Sequence, residues 1–269
     1  MAAKIPIITL LTDYGTRDHF VGSMKGVIHS VNPQASIIDI SHEVAPQDIV
    51  EAAFLIRSCY SYFPTSTIHI VVVDPSVGSS RKPIVVSTEN HFFVAPDNGI
   101  LSLIYEVEPP TQVVEITAEH YMLPEVSKTF HGRDIFAPVA AWLSKGVDIL
   151  NFGEPLENYV RLNLPKSKIT AEGQLKGMIL HVDRFGNLIS NISNSDYQAA
   201  REKFPGDKFL VSIGNREIQG LKQFYSETQK GDVLALFGST NYLEIAQNLG
   251  SAARTLGLNR GAEIAISLK

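Results

Sequence analysis

The stretch "IHIVVVDPSVGSSR", residues 68–81, decides how the chain is read. Its opening run does not alternate polar with apolar residues, which marks a strand buried on both faces. Such strands belong to parallel sheets covered by helices. The run ends at Asp74, and a short loop of small residues leads to Arg81. Working outward, "IPIITLLT" (5–12) is a second continuous apolar run, closed by Asp13 and Gly15. "HFVGSMKGVIHSVNP" (19–33) has helical spacing at Phe20, Met24, Val27 and Ile28 and stops before Pro33. "SIIDIS" (36–41) reads as a strand. "PQDIVEAAFLIRSCYSYF" (46–63) reads as a helix opened by Pro46 that buries Ile49, Ala53 and Ile56. This βαβαβ order predicts a mostly parallel sheet with right-handed crossovers. "DIFAPVAAWLSKG" (134–146) adds a helix ended by Gly146.

After "LNLPKSKITAEG" (162–173) the apolar runs become short and alternating, as in "QLKGMILHVD", "FLVSIG" and "DVLALFG". Turn signals such as "RFGN", "IGNRE" and "QKGD" separate them. That pattern predicts a small antiparallel barrel or sandwich. The expectation is an α/β N-terminal domain over 1–165 and an all-β, barrel-like C-terminal domain over 173–269.

Composition narrows the function classes. The 269 residues are 44% hydrophobic and 19% charged, with a net charge of −5 and no Lys/Arg run. Nothing here suits a nucleic acid. A single cysteine, Cys59, excludes an intrachain disulfide and a cysteine-based zinc site. The apolar run before Asp13 is too short to span a membrane and lacks a cleavage pattern. A cytoplasmic protein without a membrane partner is expected.

In a parallel α/β sheet, ligands bind beyond the carboxyl ends of the strands. Asp13, Ser41, His42 and Asp74 all fall there. Asp13 alone suits a turn cap; beside Asp74 it suits a carboxylate that accepts hydrogen bonds from a sugar diol. "TFHGRD" (129–134) places His131 and Gly132 just before a helix, where a histidine also serves plain loop structure. "VDRFGNLISNIS" (182–193) puts Asp183, Phe185, Asn187 and Asn191 on a predicted hairpin. "FGSTNYLEIA" (237–246) leaves a strand through Gly238 and Ser239 and is expected to start a helix at Leu243. Ser239 or Thr240 would cap that helix, and its free amides could hold a carboxylate.

Seven motifs then stand together in order: "LLTDYGTRDHFVGSMKGVI", "HEVAPQDIVEAAFLI", "VVDPSVGSSR", "VAPDNGIL", "TFHGRDIFAPVAA", "VDRFGNLISNI" and "GSTNYLEIA". The chain resembles the S-adenosyl-L-methionine hydroxide adenosyltransferases, relatives of fluorinating and chlorinating enzymes, from about Ile7 to Ile266. Ser76 departs from the glycine usual in the family's "VDPGVG". The resemblance implies hydrolysis of S-adenosylmethionine to adenosine and methionine, without cofactor or metal. It also implies a homotrimer whose sites lie between subunits. By resemblance Asp74, Arg81 and His131 handle the attacking water. Asp13, with Asp74 nearby, would bind the ribose, Asn187 the adenine edge and Phe185 its face. Asp183 would pair with the methionine ammonium and Ser239 with the carboxylate; Tyr242 and Glu244 would lie on the substrate side. Two other readings compete, a chlorinase-like halogenase and a non-catalytic nucleoside sensor. Halide-using relatives carry an aromatic residue at position 74 and Tyr-Ser at 131–132. The charged Asp74 and Arg81 argue against both alternatives.

Overall fold

The computed structural model describes residues 5–206 and 209–268. The chain divides into two compact units, Met1–Leu162 and Asn163–Lys269. In the first, β1 (Ile7–Thr12), α1 (Phe20–Val31), β2 (Ser36–Ser41), α2 (Ile49–Cys59) and β3 (Ile68–Val72) follow the predicted alternation. Then come β4 (Pro83–Ser87), β5 (Phe92–Pro96), α3 (Ser102–Tyr105), β6 (Gln112–Ile116), α4 (Ala137–Ser144) and β7 (Gly153–Pro155). The sheet order is β2-β1-β3-β5-β4-β6-β7. The first four strands are parallel neighbours, and β4, β6 and β7 extend the sheet antiparallel.

The missing alternation in β3 has a simple cause. Ile70 and Val72 pack on one face with Ile8, Leu10, Met24 and Phe136. Val71 and Val73 pack on the other with Leu11, Ala52, Ile56 and Ile104. Both faces are therefore covered by helices, and each needs its own set of apolar residues.

Two expected helix starts move. α2 begins at Ile49, after Pro46, because Asp48 is its N-cap: the carboxylate accepts from Glu51 N at 2.9 Å. Gln47 sits in the left-handed region (φ 67°), so the helix cannot run back to Pro46. Before α4, residues Gly132–Phe136 form a π-helical turn. Pro138 has no N–H to offer the Asp134 carbonyl, which accepts from Leu123 N at 2.9 Å instead.

The second unit contains β8 (Lys168–Ile169), β9 (Gln174–Val182), β10 (Leu188–Ser193), α5 (Asn194–Lys203), β11 (Leu210–Ile213), β12 (Arg216–Gln219) and β13 (Leu221–Lys222). It closes with β14 (Val233–Phe237), β15 (Tyr242–Gln247), α6 (Ala252–Leu256) and β16 (Glu263–Ser267). The strands run β12-β11-β16-β9-β10-β15-β14-β13, with β8 on β9. β12 curls back towards β14, which gives the sheet a nearly closed, barrel-like form. Its interior holds Ile179, Leu188, Ile192, Val211, Leu243, Ile245 and Ile266.

The helix expected at Leu243 is a strand, β15, paired with β10 and β14. A short apolar run fits either element; here Asn241, with φ 63°, closes a tight turn in which Gly238 N donates to Tyr242 O. The helix comes later, as α6, capped by Ser251. α5 was not foreseen, although Ser193 and Asp196 form a capping box at its start. Among the described residues, no helix is long and apolar enough to cross a membrane.

Candidate functional site

Thr12 and Val72 are register partners on β1 and β3, so Asp13 and Asp74 leave neighbouring strand tips. Asp74 Oδ2 accepts from Arg81 Nε at 2.8 Å and from Arg81 Nη2. The two side chains are only 5% and 6% exposed. Arg81 Nη2 also donates to His131 Nδ1 at 2.7 Å. A guanidinium has only donors, so Nδ1 must accept and the imidazole proton sits on Nε2. Burial, reinforced by the Arg81 charge, pushes the His131 pKa down and keeps the ring neutral. Arg81 lies over the Phe136 ring, 5.4 Å from its centroid. Its Nη1 is buried and bonded to nothing among the described residues. An unmatched buried donor costs about 1–3 kcal/mol, and such costs concentrate at functional sites.

Loop geometry assembles this cluster. Gly78 has φ 79°, and a Cβ there would strike the Lys128 backbone carbonyl. Glycine thus lets the Asp74–Arg81 loop dock on the segment that leads into His131. Ser76 lies outside the left-handed region, so glycine is not needed there. Its hydroxyl donates to Asp74 Oδ1 at 3.3 Å.

Asp13 Oδ2 accepts from Gln47 N at 2.9 Å. Its loop is anchored by Gly15 N donating to His42 O and Tyr14 N to Thr12 Oγ1. Thr12 Oγ1 in turn bonds His42 Nδ1 at 2.8 Å. His42 Nε2 approaches Asp39 Oδ1 to 3.1 Å, without hydrogen-bond alignment. His42 is buried and props this loop. Asp134 is also structural: fully buried, it accepts from Ser127 N and the Arg133 guanidinium.

In the second unit, Asp183 organises the β9–β10 turn. Its Oδ1 accepts from Phe185 N and Asn187 N, each at 2.9 Å, and its Oδ2 from Asn187 Nδ2 at 2.9 Å. Gly186 has φ 83°, and Ser251 fills the space a side chain would need. Asn187 is buried, whereas Phe185 is 75% exposed. Asn191 is turned to scaffold work, accepting from Met178 N and donating to Pro165 O. Glu244, only 5% exposed, accepts from Tyr225 Oη at 2.8 Å, and its other oxygen lies against Gly238. Burial raises the Glu244 pKa against the pull of that hydrogen bond, and nearby Asp183 adds to the rise. Ser239 is exposed on the β14–β15 turn, and Tyr242 opens β15 opposite Ser193.

The structure therefore brings together Asp74, Arg81 and His131 in one unit, and Asp183, Asn187 and Glu244 in the other. Sequence reasoning overlooks two tyrosines: Tyr225, which opens a short 3-10 turn and bonds Glu244, and Tyr14, whose ring packs on Phe20 and Phe130 beside Gly132. Among the described residues, no group of three His, Cys, Asp or Glu side chains could hold a metal ion.

Comparison with known proteins follows the same two-part division. Residues 8–153 match the SAM hydroxide adenosyltransferase N-terminal domain, and residues 177–265 match the C-terminal domain. An (R)-S-adenosyl-L-methionine hydrolase from Methanocaldococcus jannaschii is 33% identical, over 97% of this chain and 96% of its own. A fluorinase from an Actinoplanes species is more distant, at 25% identity over 97% of each chain. The crystal structure of a conserved protein from Thermotoga maritima superposes with a TM-score of 0.90 at 38% identity, covering 97% of this chain and 99% of that one. The chain belongs to the S-adenosyl-L-methionine hydroxide adenosyltransferase family.

Proposed function

We propose that the protein hydrolyses S-adenosylmethionine to adenosine and methionine by in-line attack of water on C5′. The observation that carries this is the buried Asp74–Arg81–His131 cluster with its unspent Arg81 Nη1 donor. The sulfonium leaves as a neutral thioether, so no general acid is required. The difficulty lies with the nucleophile, a weak one that must sit roughly 3–3.5 Å from the carbon. Arg81 stabilises the charge that develops as water loses a proton. His131 has Nδ1 committed to Arg81 and a proton on Nε2, so it orients the water as a donor. That leaves Asp74 as the base, through Oδ1, since Oδ2 is occupied by the guanidinium. Attack forms the O–C5′ bond, breaks C5′–S and passes one proton to Asp74.

In this reading Asp13 binds the ribose diol, Asn187 reads the adenine edge and Phe185 covers its face. Asp183 takes the methionine ammonium, with Glu244 adding negative potential and Tyr242 on the substrate side. Ser239 holds the carboxylate from a hairpin turn, not from a helix end. No cofactor or metal enters. Each unit carries only part of this kit, which supports sites shared between subunits; the homotrimer is what the family resemblance implies. Mixing Asp74→Ala with Asp183→Ala subunits should then restore activity.

The family's fluorinase branch keeps a halogenase in view. Against it, a carboxylate at the nucleophile position repels halide by several kcal/mol at low effective dielectric. The relatives' named (R) epimer is the substrate form to assay first. Product analysis with and without chloride tests the reading. Adenosine in both cases supports it; a chlorinated nucleoside, or binding without turnover, overturns it.

A further inference from the structure

Gly132 follows His131 directly and is buried. A Cβ built there would lie 2.6 Å from Tyr14 Oη and 3.3 Å from both Tyr14 Cε2 and Met24 Sδ. The Gly132 backbone is not left-handed, so glycine is required here for space and not for conformation. The phenol end of Tyr14 occupies the volume that a side chain at 132 would take.

Tyr14 is held rigidly. Its ring packs on Phe20 at 5.7 Å and edge-on to Phe130 at 5.9 Å between centroids, and its backbone N–H is tied to Thr12 Oγ1. Tyr14 is half-buried, and its hydroxyl makes no hydrogen bond among the described residues, which leaves it available to a ligand. The charges of Asp13, Asp74 and Arg81 all reach it. Burial, then the two carboxylates, push the phenol up, so it remains a neutral O–H.

An attacking water has two protons to place. Arg81 and His131 Nε2–H can only donate to it, and Asp74 Oδ1 accepts one proton. A second acceptor is needed. The geometry points to Tyr14 Oη as that group, a fourth catalytic residue that accepts the hydrogen the water keeps. This inference rests on the hydrolase reading. The O–H bond that Tyr14 orients is not broken; it becomes the 5′-hydroxyl of adenosine, while the other proton goes to Asp74. Gly132 is then the residue that makes room for Tyr14.

Single-turnover kinetics and calorimetry on Tyr14→Phe, Gly132→Ala and the double variant test this. Tyr14→Phe keeps the ring cage; its rate constant should fall about 10- to 100-fold, with substrate affinity and Tm essentially unchanged. Gly132→Ala should cost at least as much when Tyr14 is present. In the Tyr14→Phe background it should cost less than about threefold, because the closest contacts relax to 3.3 Å. A fully active Tyr14→Phe, a loss confined to affinity, or additive effects of the two changes would overturn the inference. Wild-type protein that makes no adenosine would instead overturn the hydrolase reading on which it rests.

Discussion

The two units each present an acidic cluster, and the two are completed in opposite ways. In the first, Asp74 is gripped by Arg81, and the imidazole beside them is fixed in one tautomer. In the second, burial raises the Glu244 pKa and nearby Asp183 adds to the rise, and among the described residues both carboxylates bond only neutral groups. A buried carboxylate is costly to keep charged unless a cation joins it. The first cluster brings its own cation and keeps a spare donor, Arg81 Nη1, which the proposed function assigns to the nucleophile. The second lacks a cation and suits a ligand that carries one, such as an ammonium. The two clusters thus differ in charge balance, and on the proposed function that difference separates catalysis from recognition.

The largest effect that would break this division is at Arg81. Arg81→Ala leaves Asp74 buried without its cation and frees His131 Nδ1, so the single-turnover rate should drop by about 10²–10⁴-fold while Kd changes little. A variant that kept its rate and lost only affinity would make Arg81 a binding residue. Next is Asp183→Asn, which keeps an acceptor for the turn amides but loses the charge. It should weaken substrate binding by roughly ten- to a hundredfold, the worth of about 1.5–3 kcal/mol for a charge-assisted hydrogen bond, with the rate on saturated enzyme retained.

Acid should also separate the units. Burial, with His91 beside it, pushes His69 down to about 3, whereas an unfolded histidine titrates near pH 6.5. Between those values the unfolded chain binds more protons, so this contribution to stability is lost as pH falls, by up to about 1.4 kcal/mol per pH unit. Glu244 acts with the opposite sign: its raised pKa means the folded state binds the proton first, so the second unit gains stability as pH falls through that value. His181 is the one histidine of the second unit. Hydrogen exchange from pH 6.5 to 4.5 should show protection lost in β1, β3 and β5 before β10, β14 and β15. The reverse order would contradict this assignment. The smallest change is Ser76→Gly. It removes one long hydrogen bond to Asp74 Oδ1 and should alter the rate by less than about threefold, in a steady-state assay.

The first unit was legible because β1, α1, β2, α2 and β3 carry unbroken apolar runs or clear helical spacing, and strand ends locate ligand sites by topology alone. Asp13 and Asp74 are located that way; Arg81 and His131 join them only through the motif resemblance, which also supplies the roles. The second unit was less legible. "YLEIA" fits a strand or a helix, and only pairing with β10 and β14 chose the strand. Tyr14 meets Gly132, more than a hundred residues further along the chain, and Tyr225 meets Glu244, 19 residues further along. No local pattern encodes such a meeting.

On the proposed function, the Asp74–Arg81–His131 cluster directs water to C5′. Reaction of S-adenosylmethionine in ¹⁸O-water under single-turnover conditions, with a chelator present, tests it most directly. The account predicts adenosine labelled at the 5′-oxygen and unlabelled methionine, with the label lost together with activity in Arg81→Ala. Unlabelled adenosine, or activity abolished by the chelator, would contradict it.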